Sequence, residues 1–303
     1  ENHAESLLEN MPGRLGLSED ELKTLVLRWP MILSESYDVV EPRLDKLQEC
    51  LELSNAELKQ VMMRWPHAVI SFESVEPTIT KLRQRLSLDV TELRKVAPQV
   101  IGLSYETNIE PLLDTIQTRL GLSDGELKRL LVLCPSLLTC SYDDNVEPTL
   151  SKLQRDLALS VAELRKLVLA NSQLLERSYE AKVGPSLANL KLGLSLSDAE
   201  LKSALLRSPT VLGRCLEGSE QELGLSQLKN RLDLSDAELK RIVVRYPMVI
   251  RNRYDTNMGP KLEKVQRMLG LDDFQLKRLV LRWPSILGVS YEKKIEPSLF
   301  KLQ

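Results

Sequence analysis

The 303-residue chain is predicted to be all-α, a right- or left-handed superhelical α-solenoid of about eight helical hairpins. Three observations predict this. A helix-start signature recurs every 34–38 residues, a proline usually closes the segment that follows, and a second proline opens another leucine-rich segment. No strand-like alternation competes with them.

The start signature is the capping box, an N-cap Ser or Asp with Glu or Gln three residues on, so that each side chain satisfies the other residue's free backbone N–H. It occurs at Ser18/Glu21, Ser54/Glu57, Asp89/Glu92, Ser123/Glu126, Ser160/Glu163, Ser197/Glu200, Ser235/Glu238 and Asp272/Gln275. Leu and then Lys or Arg follow each box. In the first unit Leu22, Leu25, Val26 and Trp29 share one helical face, which defines helix one, about 11 residues long. Its stop is Pro30, with Pro66, Pro98, Pro135, Pro209, Pro247 and Pro284 in equivalent places and Ser172 in the fifth unit. Proline lacks the helical donor and pushes the residue before it out of the α region.

A short apolar stretch comes next, often ending in Ser-Tyr. Glu-Pro or Gly-Pro then opens helix two, with Pro42, Pro77, Pro111, Pro148, Pro185, Pro260 and Pro297 expected in its first turn, where a missing N–H costs little. Val40, Leu44, Leu47 and Leu51 define its buried face. One hairpin cannot cover its own apolar stripe, so neighbours must stack. The organisation expected is a single array over 1–303, with repeats starting near 15, 51, 86, 120, 157, 194, 232 and 269. Two units depart from the pattern: the third is three residues short between cap and proline, and the sixth lacks both the Tyr and the Glu-Pro. Curvature is expected to be irregular there.

Composition excludes several classes. With 43% hydrophobic and 28% charged residues, the chain has ample material for a core, and its apolar runs are too short for a transmembrane span. Cys50, Cys134, Cys140 and Cys215 lack zinc-site spacing and disulfide-scaffold density. His3 and His67 are far apart, and no metalloprotease, nucleophile-elbow, P-loop or dinucleotide motif occurs. No cofactor, metal or catalysis is therefore expected. The chain opens at Glu1 without Met or leader and stops at Gln303 inside a helical pattern, so both ends are read as processed or trimmed.

The recurring L-x-L-S-x-x-E-L-K, as in Leu120-Gly121-Leu122-Ser123, with Pro135-Ser136-Leu137-Leu138 and Leu269-Gly270-Leu271-Asp272, resembles the motif of the mitochondrial transcription termination factor (mTERF) family over roughly residues 15 to 303. The Glu-Pro start of helix two is a local elaboration. The resemblance implies mTERF-type repeats in a half-ring fold and a mitochondrial or chloroplast location. It also implies DNA or RNA binding along a basic groove in transcription, RNA maturation or ribosome assembly, without cofactor or catalysis.

Charge bears on that implication. The net charge is −2, but residues 200–303 hold 19 basic against 13 acidic side chains, +6, which leaves −8 on residues 1–199. Phosphate binding needs clustered Lys and Arg. The candidates are Arg241 with Arg245 and Arg278 with Arg282, which are i, i+4 pairs, together with Lys240, Lys277, Arg251 and Arg253. The plainer reading places Arg28, Arg64, Arg245 and Arg282 against the negative end of the helix dipole, and lets Lys23 and its equivalents pair with the acidic first turn. Trp29, Trp65, Tyr246 and Trp283 read as core, and His67 as a surface residue. The repeated tyrosines, Tyr37 to Tyr291, read as turn anchors whose hydroxyls reach solvent or backbone. Acidic pairs such as Asp272/Asp273 read as helix starts rather than metal ligands. The alternative to a nucleic-acid ligand is a protein-binding scaffold subunit of a ribosome or membrane complex, which the acidic N-terminal part favours.

Overall fold

A computed structural model of the protein describes residues 3–66, 72–100, 102–215 and 220–292. Among the described residues there are seventeen α-helices, joined by 3-10 and π turns, and no strand. No helix among them is long and apolar enough to cross a membrane. The chain packs as two compact units, Glu1–Cys140 and Ser141–Gln303.

The first unit holds α1 (His3–Leu15), α2 (Glu19–Arg28), α3 (Tyr37–Cys50), α4 (Asn55–Arg64), α5 (Phe72–Leu86), α6 (Val90–Val96), α7 (Glu110–Leu120) and α8 (Asp124–Leu133). The second holds α9 (Glu147–Asp156), α10 (Val161–Ala170), α11 (Gly184–Gly193), α12 (Asp198–Arg207), α13 (Thr210–Cys215), α14 (Glu220–Arg231), α15 (Asp236–Arg245), α16 (Gly259–Leu269) and α17 (Asp273–Arg282). Helix one of the eight repeats is α2, α4, α6, α8, α10, α12, α15 and α17. All eight start on the expected N-cap, and in each both hydrogen bonds of the capping box are formed. The leucine after the box is buried in repeats two to eight, from Leu58 to Leu276. α1 precedes the first expected repeat and is itself a core helix, burying Leu7, Met11 and Leu15 against α2, α3 and α4.

Helix one ends as expected, and the proline has a second use. Outside the third repeat, where Ala97 stays helical, the residue before it takes an extended φ, −147° at Trp29 and −132° at Trp283, and the proline can then open a 3-10 turn, as at Pro30–Ser34 and Pro247–Arg251. Ser172 opens the same turn in the fifth repeat, because Asn171 holds the geometry instead. Its Nδ2 donates to the carbonyls of Leu167 (3.0 Å) and Pro209 (2.7 Å), and its Oδ1 accepts from the Gly213 N–H.

Helix two differs from expectation. Its helical turn begins at the tyrosine, four residues before Glu41 in the first repeat and five before the Glu or Gly in repeats three, four, five and seven, with the proline one residue further on. In the first repeat α3 runs through Pro42 without a break. In repeats three, four, five and seven the five residues from the tyrosine form a π turn: Tyr105–Ile109, Tyr142–Val146, Tyr179–Val183 and Tyr254–Met258. These four repeats have one residue more between tyrosine and proline than the first, Tyr105 to Pro111 being six steps and Tyr37 to Pro42 five, and a wide turn takes up the extra residue. In it the Glu110 N–H bonds to the Tyr105 carbonyl, and α-helix resumes with the proline at its second residue.

The two irregular repeats differ in length. α6 has seven residues and passes directly into a 3-10 turn at Ala97–Gln99, and the sixth repeat has the short α13 after Pro209 where other repeats have a 3-10 turn. His67 and Pro297 lie outside the described residues.

Candidate nucleic-acid interface

Two sets of basic side chains pair with carboxylates of a neighbouring repeat, and a third forms an exposed stripe. The Lys after the box does not pair with its own first turn. It reaches back to the previous repeat, where it meets the box glutamate and the carbonyl of the residue two before that N-cap. In the first unit Lys59 bonds Glu21 (2.7 Å) and the Gly16 carbonyl (2.8 Å), and Lys128 bonds Glu92 and the Ser87 carbonyl. In the second unit Lys202 bonds Glu163 (2.9 Å) and the Ala158 carbonyl (2.6 Å). Lys240 bonds Glu200 (2.8 Å) and the Ser195 carbonyl (2.9 Å), and Lys277 bonds Glu238 (2.8 Å) and the Asp233 carbonyl (2.5 Å). Each such glutamate also accepts its own N-cap N–H. The Lys240 ammonium and these N–H and hydroxyl groups hold the Glu200 carboxyl down at about 2, and Glu238 is lowered by Lys277 in the same way. Lys240 and Lys277 are thus the clamps that join repeats six, seven and eight.

A second clamp joins the helices two. Lys81, Lys152 and Lys264 each pair with the glutamate after the next repeat's tyrosine, Glu106, Glu180 and Glu292, and lie over that tyrosine's ring. Four of the repeated tyrosines send their hydroxyls to a carboxylate or sulfur rather than to solvent or backbone. Tyr37 donates to Glu41, Tyr142 to Glu147, Tyr179 to Asp156 (2.5 Å), and Tyr291 to the Met268 sulfur. Burial, with Asp156 beside it, pushes the Tyr179 hydroxyl well above the ordinary phenol range.

What remains is a stripe on helix one. The residues two, six and ten after the N-cap face solvent in every repeat that has them, because they lie one turn apart on the side opposite the buried leucine. In the second unit the stripe reads Ala162, Lys166, Ala170 on α10; Ala199, Ser203, Arg207 on α12; Ala237, Arg241, Arg245 on α15; and Phe274, Arg278, Arg282 on α17. Positive charge rises toward the C-terminal repeats, and the stripe carries no carboxylate. These helices pack side by side, α10 with α12, α12 with α15, and α15 with α17. The stripes are therefore adjacent. Arg207 donates to the Val244 carbonyl (2.7 Å) and Arg245 to the Leu281 carbonyl (3.4 Å), each tying down one nitrogen at the C-terminal end of the next helix one. A guanidinium has five donors, so most of each fork stays open toward solvent.

The structure thus brings together Arg241, Arg245, Arg278 and Arg282 on neighbouring stripes. Arg251, exposed at the end of the 3-10 turn after α15, donates to Thr210 Oγ1 (3.0 Å), and Arg253 is exposed at the start of the π turn. Three residues were missed by reading only the basic residues of the seventh and eighth repeats. Arg207 and Lys166 share the stripe's register, and Phe274 stands at its foot, 67% exposed. Aligning the repeats on the N-cap finds all three. Trp283 departs from the core reading: it is 45% exposed, whereas Trp29, Trp65 and Tyr246 are half-buried.

These features define an α-helical repeat protein with an ordered arginine surface. The mTERF family model matches residues 80–194 and 187–302, most of the chain, and the protein belongs to the mTERF family, whose fold is a helical-repeat solenoid. Members of that family are nucleic-acid-binding regulators of organellar gene expression. No curated protein matches the chain.

Proposed function

We propose that the protein is a non-catalytic, organellar nucleic-acid-binding protein, in the mitochondrion or chloroplast, acting in transcription, RNA maturation or ribosome assembly. The observation that carries this reading is the stripe of Arg241, Arg245, Arg278 and Arg282 on adjacent helices, solvent-facing and without a carboxylate among them. Arg251 and Arg253 extend the positive surface beyond α15. Lys240 and Lys277 contribute by holding the arginine-bearing helices in register. Arginines on a rigid helix face track a phosphate backbone, fix the position of the ligand and carry no sequence code of their own.

Binding then depends on counterion release. Each phosphate contact contributes ~0.7–0.9 to the slope of log affinity against log salt. Reversal of Arg241, Arg245, Arg278 and Arg282 to Glu is expected to abolish measurable binding at ~150 mM salt, and their change to Gln to reduce the salt slope by roughly 3. Fluorescence anisotropy with labelled DNA and RNA measures both. Unchanged affinity in the reversed protein overturns the reading. It would instead favour the scaffold alternative, which draws on the −8 charge of residues 1–199 and predicts a stoichiometric protein complex that survives nuclease.

A further inference from the structure

The stripe position two residues after the N-cap is solvent-facing in all eight repeats. Seven of them carry a small or polar residue there, among them Ala199 and Ala237 in the second unit. The eighth carries Phe274, 67% exposed, with the Arg278 guanidinium 5.8 Å from the ring centre and Arg282 one turn further along the same face. Because the position is open in interior repeats too, the exposure of Phe274 is a property of the register. An exposed phenyl ring at that register gains nothing for the core. Its carboxylate neighbour Asp273 is paired with Arg231 (3.0 Å) and Gln266 (2.9 Å), so this carboxylate does not compete for the arginines beside the ring.

Resting on the nucleic-acid reading above, we infer that Phe274 is a stacking platform for an unpaired base, and that the ligand at the eighth repeat is single-stranded. A phenyl ring accepts the π-face of any base, which makes the contact tolerant of sequence. In a duplex those faces are already stacked inside. The helical rise places Arg278 ~6 Å and Arg282 ~12 Å along the axis from Phe274, which suits cations that hold the backbone on one side of the stacked base. Arg278 also polarises the ring from its own side, a cation–π contact that leaves the opposite face for the base.

The test uses the full chain, a labelled 12-nucleotide single strand of mixed sequence and the duplex of that sequence. Phe274→Ala is expected to weaken single-strand binding by roughly 5- to 100-fold without changing the salt slope, because no phosphate contact is lost. Phe274→Trp should restore or exceed the parent affinity, Phe274→Leu should not restore it, and duplex affinity should be unaffected in all three. Circular dichroism melts confirm that these surface variants fold. The inference fails if Phe274→Ala leaves single-strand affinity intact, if Leu serves as well as Phe, or if duplex binding falls in parallel. If the parent chain binds neither strand form, the functional reading has failed. If it binds through its arginines and ignores Phe274, only the present inference has.

Discussion

Two residues before every N-cap the backbone is left-handed. Glycine stands there at Gly16, Gly121 and Gly270, with φ near 60°, but Glu52, Ser87, Ala158, Ser195 and Asp233 hold φ of 46–51° with a Cβ in place. An L-residue in this region crowds its own carbonyl. The conformation persists because it turns the chain from helix two into the next N-cap. It also aims the residue's carbonyl at the clamping lysine, as Ser195 does at Lys240. Ser195 is exposed, and it is its carbonyl that accepts from Lys240. Ser195→Gly is therefore expected to raise stability by about 0.5–1 kcal/mol, the strain relieved less the extra freedom gained by the unfolded chain. Urea unfolding measures it; a lower midpoint for the variant would show that the left-handed residue is not strained.

At the scale of the element, each helix one is specified twice. The capping box fixes where it starts, and the lysine two residues beyond the box glutamate fixes it against the repeat before. Lys240→Met keeps the methylene stem along α15 and deletes the ammonium, leaving the Ser195 carbonyl without this donor. The carbonyl bond alone is expected to cost about 1 kcal/mol after solvent screening. The same change should loosen the stripe that Arg241 and Arg245 occupy. A urea midpoint unchanged from the parent would remove the clamp from the account. The boundaries of helix one were legible in the sequence because both signals, cap and proline, are local. The start of helix two was not, since the proline marks only where α-helix resumes, and the turn that begins at the tyrosine widens where one extra residue separates the two, as between Tyr105 and Pro111. The clamps were not legible either: Lys240 and Glu200 stand 40 residues apart, and only stacked repeats show that they meet. The arginine ladder was half legible, its i, i+4 spacing visible and its solvent-facing side not. Trp283 was placed in the core because it shares a position with Trp29, a likeness of sequence register that burial in the eighth repeat does not follow.

Across the whole molecule the clamps make stability depend on pH. Glu21, Glu57, Glu163, Glu200 and Glu238 all titrate below their usual 4.5, each through the bonds of its box and all but Glu57 with a next-repeat lysine among the leading causes; for Glu57 the cation is Arg94. A carboxyl whose folded value is depressed binds fewer protons in the folded chain than in the unfolded one. Its contribution is therefore complete above about 4.5 and is lost as pH falls toward the folded value, about 2 for Glu200. The tyrosines act in the opposite direction. Burial raises Tyr37, Tyr105, Tyr179, Tyr246 and Tyr254 above 10.0, so their neutral forms stabilise the fold up to that value and the stability declines as pH rises through it. The expected profile is a plateau between about 4.5 and 10, with an acid limb set by the repeated clamps and an alkaline limb set by the repeated tyrosines. Changing Glu200 and Glu238 together to Gln should lower the plateau and flatten the acid limb while leaving the alkaline limb in place. Equilibrium urea melts from pH 2 to 11 separate the two limbs. An acid limb as steep in the double variant as in the parent would mean that carboxylates outside the clamps govern acid unfolding.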